Sequence, residues 1–330
     1  MRRAAGSCTV AGMNALTRTA LLSFIGCAPA IRNVPSGPPA RWALAAPQPG
    51  RTLDALGVSL FVHDSAPDDA TKPVLVCLHA IGHGGSDFAA LSKARPDLRV
   101  IAIDWPGHGR SGPDSNAASA IRYEQLLAAV MDELKLERVV LLGNSIGGAT
   151  AIRYAAARPE RVRALVLANP GGLDPGASGF LGRFFIGGLV DHFEQGVRNE
   201  ERFASWFREY YAKILITPAA REQLERILDA GYESAPVLAQ AWTSFMQPEA
   251  SLAPLIAKIT MPTLFTWADA DALVSWSRNE DAVKRFPNAK VVHFDAGHAA
   301  FLEQPEAFLR ALDQFLVTSS GDAGGSGARW

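Results

Sequence analysis

Short, continuously apolar runs alternate with amphipathic stretches along most of this 330-residue chain. The clearest runs are Val-Leu-Val-Cys-Leu at 74–78, Val-Val-Leu-Leu at 139–142 and Ala-Leu-Val-Leu-Ala at 164–168. A strand that is covered on both faces is apolar throughout, and such strands belong to parallel sheets packed between helices. The pattern therefore predicts a doubly wound α/β sheet with strands at 58–63, 74–78, 100–103, 139–142, 164–168, 263–267 and 291–294.

Helical spacing separates these strands, except in one long stretch. Helices are predicted at 122–136, 146–158, 279–286 and 305–317. Residues 173–252 contain no clear strand and are rich in Phe, Tyr and Trp. This stretch is far longer than an ordinary loop, so we interpret it as an inserted helical cap. The α/β core is then made of residues 52–172 and 253–317.

The two ends of the chain differ from the core in composition. Residues 1–51 contain no Asp or Glu, several Arg and Pro, and an apolar run at 20–26 that is followed by Cys27. We interpret them as a leader, disordered or targeting, and favour a disordered or miscalled leader on a cytoplasmic protein. The alternative is export or lipid anchoring through Cys27. The Gly- and Ser-rich tail at 318–330 is expected to be disordered.

Composition excludes several classes of protein. The 32 basic and 33 acidic side chains give a net charge of −1, so a nucleic acid is not an expected partner. No apolar run reaches the roughly 20 residues of a membrane-spanning helix. The three cysteines have no metal-ligand spacing, and neither a metal nor an organic cofactor is expected. A small-molecule substrate is the expected partner.

A Gly-Asn-Ser-Ile-Gly-Gly motif at 143–148 carries the first sign of chemistry. The G-x-S-x-G pattern stands directly after a predicted buried strand and directly before a predicted helix. A serine on such a sharp turn is lifted off the sheet, and the nearby glycines make room for it. We therefore predict Ser145 as a nucleophile.

A serine needs a base, and the base needs an orienting carboxylate. His298 follows the last predicted strand, which places it at the same sheet edge as Ser145. His63, His192 and His293 are interpreted as surface or packing residues. Asp271 follows the strand at 263–267 and is the predicted carboxylate, with Asp269 as its rival. Asn169 ends the preceding strand, where its amide could not serve as the acid.

Donors for the oxyanion of a reacting carbonyl complete the prediction. One is the backbone N–H of Ile146, directly after the nucleophile. The second is expected from the loop His-Ala-Ile-Gly-His-Gly-Gly at 79–85, and we choose Ile81.

Four motifs in order resemble the α/β-hydrolase superfamily over about residues 53–317. They are His-Ala-Ile-Gly at 79–82, Asp-Trp-Pro-Gly-His-Gly-Arg-Ser at 104–111, the serine motif at 143–148 and Gly-His at 297–298. The resemblance implies a mostly parallel eight-stranded sheet and a catalytic Ser145–Asp271–His298 order. It also implies that His108 is structural and is compatible with a homodimer.

Within the superfamily, residues 143–154 and 169–173 resemble meta-cleavage-product hydrolases, which cleave a carbon–carbon bond next to a carbonyl. Two features depart from those enzymes: an oxyanion loop with less glycine, and Ala299 where a tryptophan commonly follows the histidine. A cap arginine that grips the substrate carboxylate there could correspond to Arg221 or Arg226. The hypothesis is a serine hydrolase of esters or activated carbon–carbon bonds. The alternatives are a non-catalytic ligand-binding protein, or an acyltransferase or perhydrolase with the same residues.

Overall fold

The computed structural model describes residues 49–321, which contain one eight-stranded sheet. The strands lie in the order β1-β2-β4-β3-β5-β6-β7-β8. All neighbours from β4 to β8 are parallel, whereas β2 is antiparallel to both β1 and β4. The strands are β1 Gly50–Ala55, β2 Val58–Asp64, β3 Val74–Leu78, β4 Arg99–Ile103, β5 Val139–Asn144, β6 Val162–Ala168, β7 Thr263–Ala268 and β8 Ala289–Phe294.

The sheet confirms the predicted α/β-hydrolase architecture. Strands β3, β4, β5, β6 and β7 are almost completely buried, as their apolar runs require. The helices outside the cap are α1 Ala89–Ala94, α2 Ala120–Glu133, α3 Ile146–Ala157, α8 Trp276–Val283, α9 Ala300–Glu303 and α10 Pro305–Gly321. Helices α2 and α3 pack on each other, and α3 also lies against β5, β3 and β6. Because the parallel strands share their direction, the loops at their carboxyl ends meet at one edge of the sheet.

Between β6 and β7 the chain forms four α-helices and no strand. They are α4 Phe180–Val197, α5 Arg202–Tyr211, α6 Arg221–Asp229 and α7 Gly231–Phe245. The most extensive contact inside this group is between α4 and α7. The buried residues of the two helices include Ile186 and Val190 on α4 and Val237 and Leu238 on α7. We call residues 173–252 the cap, the segment that the sequence predicts as a helical insertion.

The two ends of the described region differ from the expectation. Strand β1 begins at Gly50, inside the predicted leader at 1–51, and its first three residues are exposed. An exposed edge strand lacks an apolar run, so the periodicity did not reveal it. At the other end, α10 continues to Gly321, beyond the predicted start of the tail at 318. The rest of the leader, including Cys27, and residues 322–330 of the tail lie outside the described residues.

Within residues 49–321, none of the helices combines the length and the apolar character needed to cross a membrane. In the same part of the chain, no group of three or more His, Cys, Asp and Glu side chains is arranged to hold a metal ion.

Candidate active site

Ser145 stands in a strained turn between β5 and α3. Its φ of 54° and ψ of −117° lie in a region that residues with a side chain rarely adopt. Backbone bonds hold the turn: the Ser145 N–H donates to Ala168 O at 3.1 Å, and the Gly171 N–H donates to Ser145 O at 3.0 Å. The serine is half-buried at the carboxyl end of β5, and Ile146 begins α3 directly after it.

The glycines around Ser145 allow backbone segments to touch. A Cβ at Gly147 would collide with the carbonyl oxygen of Leu78, and one at Gly143 would collide with the carbonyl oxygen of Gly147. Helix α3 therefore approaches the end of β3 at backbone contact distance. This approach brings the turn at Ser145 next to the loop that follows β3, where the sequence analysis predicts the second oxyanion donor.

His298 and Asp271 form a buried pair. His298 Nδ1 lies 2.6 Å from Asp271 Oδ2, and the two side chains are 3% and 1% exposed. The other oxygen of Asp271 accepts the N–H groups of Leu273 at 2.7 Å and Val274 at 3.0 Å. Burial lowers the pKa of His298, but the charge and hydrogen bond of Asp271 outweigh it, so the pKa is raised overall.

The rival carboxylate, Asp269, contacts a different histidine. Its Oδ1 lies 2.6 Å from Nδ1 of His293, and this pair is largely exposed at the surface. The structure therefore brings Asp271, and not Asp269, to His298. Asn169 joins the ends of β6 and β7, since its amide accepts from Ala268 N–H at 2.8 Å and donates to Ala268 O at 3.1 Å.

Asn144 connects the loop that carries His298 to the turn at Ser145, a role that the sequence analysis missed. We call residues 297–299 the histidine loop. Its buried side-chain amide donates to Ala168 O at 2.9 Å and to His298 O at 3.0 Å. The residue before Ser145 is thus hydrogen-bonded to the backbone of His298. The one available signal was a polar side chain at the end of an otherwise apolar strand.

Three side chains hold the backbone around Ile81 in the loop after β3. His79 Nδ1 donates to Ala80 O at 2.6 Å, and the Gly82 N–H donates to His108 Nε2 at 2.9 Å. From the cap, the hydroxyl of Tyr211 lies 3.4 Å from Ile81 O. The peptide groups on both sides of Ile81 are therefore oriented by neighbours. Gly82 has a φ of +78°, and a Cβ there would collide with the Tyr211 hydroxyl.

His79 and His108 must be neutral to make these contacts. His108 Nε2 accepts the Gly82 N–H, and His79 Nε2 accepts the Trp105 N–H at 3.0 Å, so neither nitrogen can carry a proton. Both side chains are fully buried. Burial lowers the pKa of His108 to about 4 and that of His79 well below its usual value.

We expect the protein to lose stability as the pH falls from about 6.5 to 4. In this range the unfolded chain takes up a proton at His108 that the folded chain does not bind, at a cost approaching roughly 3 kcal/mol. His298 does not offset this loss, because its raised pKa adds stability that is gained as the pH falls toward 6.5 and is already essentially complete below it. Thermal unfolding midpoints across this range measure the loss.

A single variant assigns the effect. His108→Gln removes the buried imidazole and should reduce the pH dependence of the unfolding midpoint. Equal stability of the natural chain at pH 7 and pH 4.5 would contradict a neutral, buried His108.

The structure locates the two arginines that the sequence analysis names as candidate carboxylate ligands. Both lie on α6, where Arg221 is exposed and Arg226 pairs with Glu222 one turn earlier and with Gln223. The expectation that one of them grips a substrate carboxylate receives no support from their positions. The cap instead meets the site through Tyr211, at the end of α5.

Comparison with known proteins shows the family of the chain. A family model described as the alpha/beta hydrolase fold matches residues 73–305. The chain belongs to the α/β-hydrolase family. The matched segment runs from just before β3 to the start of α10, and so includes Ser145, Asp271 and His298.

Relatives within the α/β-hydrolase family are enzymes of several kinds. A 2-hydroxy-6-oxononadienedioate/2-hydroxy-6-oxononatrienedioate hydrolase of Cupriavidus pinatubonensis is 31% identical over 75% of this chain and 88% of its own length. The sn-1-specific diacylglycerol lipase ABHD11 of Mus musculus is 29% identical over 76% and 82%. The enol-lactonase of Burkholderia xenovorans LB400 superposes with a TM-score of 0.69 at 20% identity, over 81% of this chain and 99% of its own. This α/β-hydrolase is accordingly an enzyme of the hydrolase class.

Proposed function

We propose that Ser145, His298 and Asp271 form a catalytic triad that hydrolyses a bond next to a carbonyl group in a small molecule. The backbone N–H groups of Ile81 and Ile146 serve as the oxyanion hole. The observation that carries the proposal is the buried 2.6 Å contact between His298 and Asp271, linked through Asn144 to the strained turn of Ser145.

Asp271 determines which ring nitrogen of His298 is free to accept a proton. Because Asp271 accepts from Nδ1, the free nitrogen of neutral His298 is Nε2, which can take a proton. His298 removes the Ser145 hydroxyl proton as the oxygen attacks the substrate carbonyl carbon. The charge on the carbonyl oxygen is then stabilised by the two backbone donors, and each such donor is typically worth about 10²- to 10³-fold in rate.

The protonated His298 then delivers its proton to the leaving group. With an ester, the carbon–oxygen bond breaks and an alcohol departs; with an activated carbon–carbon bond, the departing carbon takes the proton. Water, deprotonated by His298, attacks the acyl group on Ser145 and releases a carboxylic acid. The enzyme returns to its starting state without any cofactor in this scheme.

Two substrate classes are supported by different observations. Ester cleavage needs only the residues named above, and a relative named as a lipase shares this scaffold. Carbon–carbon cleavage is favoured by the relative that is named as a 2-hydroxy-6-oxononadienedioate hydrolase, at 31% identity.

A substrate panel tests the proposal. The purified full chain is assayed with p-nitrophenyl esters of increasing acyl length and with ring-fission dienoates, and is labelled with a fluorophosphonate. We expect hydrolysis of short acyl esters and a covalent adduct at Ser145. We also expect kcat/KM to rise with pH through the pKa of His298, since only the neutral imidazole accepts a proton.

Each other outcome selects a different function. Turnover of dienoates alone would establish carbon–carbon cleavage. Preferential acyl transfer to an added alcohol or to peroxide, in place of water, would identify a transferase or perhydrolase. Neither adduct nor turnover with any compound would contradict the proposal and indicate a non-catalytic binding protein.

A further inference from the structure

Glu303 is a buried carboxylate that the proposed reaction does not use. It ends α9, only five residues after His298, and is 3% exposed. Its Oε1 accepts the consecutive backbone N–H groups of Gly297 at 2.9 Å, His298 at 3.0 Å and Ala299 at 3.2 Å. A single oxygen atom therefore holds the backbone of the histidine loop.

The second oxygen of Glu303 binds the cap. Oε2 accepts the N–H groups of Ile216 at 2.8 Å and Thr217 at 3.3 Å, in the segment that follows α5. The Thr217 hydroxyl also donates to the backbone carbonyl of Glu303 at 3.0 Å. One carboxylate thus joins two segments that are more than eighty residues apart in sequence.

The same part of the cap also contacts both loops directly. A Cβ at Gly297 would collide with the carbonyl oxygen of Ile214, so the cap backbone lies against the residue before His298. At the start of this segment, the Tyr211 hydroxyl lies 3.4 Å from Ile81 O in the loop after β3. Residues 211–217, which we call the cap clamp, therefore contact the histidine loop at one end and the Ile81 loop at the other.

We propose that Glu303 is a positioning residue through which the cap clamp holds His298 in place relative to the Ile81 loop. This inference rests on the proposed function, in which His298 is the base and Ile81 an oxyanion donor. The cap would then do more than cover a substrate, because its packing against the two loops determines the relative positions of His298 and Ile81.

A carboxylate suits this position better than an amide. Five backbone N–H groups converge on the two oxygens, and a glutamine could offer an acceptor to only one of the two segments. The charge also acts on the base. The carboxylates that act on the imidazole are Asp271 and Glu303; burial lowers the pKa of His298, and both carboxylates raise it.

Glu303→Gln is the direct test, with Glu306→Gln as its matched control. We expect Glu303→Gln to lower kcat about 10- to 100-fold with little change in KM, because displaced catalytic groups lose rate more than binding. The acid limb of the kcat/KM profile should move to lower pH, since the variant no longer raises the pKa of His298. Glu306 is exposed on α10, three residues later, and its variant should behave as the natural chain.

Further variants separate positioning from folding. Glu303→Asp keeps the charge and should return the acid limb toward its original pH while kcat stays reduced. If Glu303→Gln does not fold, Thr217→Val removes only the hydroxyl contact with the Glu303 carbonyl, and we expect kcat to fall about two- to fivefold, the effect of one hydrogen bond.

The outcomes distinguish failure of the positioning role of Glu303 from failure of the proposed function. Natural kcat and an unmoved acid limb in folded Glu303→Gln, even with a lower unfolding temperature, would overturn the positioning role and leave Glu303 a structural residue. If Glu303→Gln does not fold, natural kcat in Thr217→Val would do the same. Failure of the proposed function itself would show differently, as an inactive natural chain that takes up no fluorophosphonate at Ser145.

Discussion

Ser145→Ala is expected to lower kcat by about 10⁴- to 10⁶-fold, the range found when the nucleophile of a serine hydrolase is removed. The change deletes one oxygen atom at the turn between β5 and α3. The strained backbone, with its φ of 54°, is formed by hydrogen bonds of Ala168 and Gly171 that do not involve the serine side chain. The fold should therefore survive, and the fluorophosphonate adduct should disappear.

The control for this variant is Ser115→Ala, at an exposed loop serine. Its kcat and unfolding temperature should equal those of the natural chain. Substantial ester turnover by purified, folded Ser145→Ala would place the nucleophile elsewhere and remove the basis of the proposed triad.

Asp271→Asn is expected to lower kcat by about 10⁴-fold, since an amide no longer fixes the correct tautomer of the base. Asp271 is 5% exposed as a residue and is bound on both oxygens, to His298 and to the backbone of Leu273 and Val274. The asparagine would also stop stabilising a protonated His298. Steady-state kinetics and the pH profile of the variant measure both effects.

Asp269→Asn provides a stringent control two residues away. Asp269 contacts His293 in an exposed pair, and such pairs contribute little to stability. We expect nearly natural kinetics from this variant. The reverse result, with Asp269→Asn inactive and Asp271→Asn active, would show that the loop carries the acid at a different residue from the one assigned.

Glu303 and Asn144 make contacts that the sequence pattern does not predict. Asn144 stands inside the serine motif, but nothing in the local pattern connects it to His298, 154 residues away. Glu303 lies outside every motif, and its five N–H partners come from two segments. Contacts of this kind depend on where backbone groups point, and side-chain type does not encode that direction.

Strand β1 is an element that the sequence analysis did not predict, for a different reason. Central strands are revealed by apolar runs because both of their faces are covered, whereas β1 is an edge strand with exposed residues at its start. The cap was recognised by its length and its aromatic content, yet neither feature orients its side chains. Arg221 and Arg226 illustrate the result: both match an expectation by residue type, whereas the fold leaves Arg221 exposed and pairs Arg226 with Glu222.

The order and type of the buried strands, the helical cap and the candidate residues Ser145, Asp271 and His298 follow from local patterns of the chain. Each of these features leaves a local signal in the sequence, because burial and turn geometry restrict which residue types can occupy a given position. The sequence proposed Asp271 with Asp269 as its rival, and the tertiary structure shows that Asp271 is the one in contact with His298. The neutral state of His108 and the junction at Glu303 were decided by tertiary structure alone. Each depends on which groups, distant in sequence, come within hydrogen-bonding distance, and only the packed sheet and cap determine that.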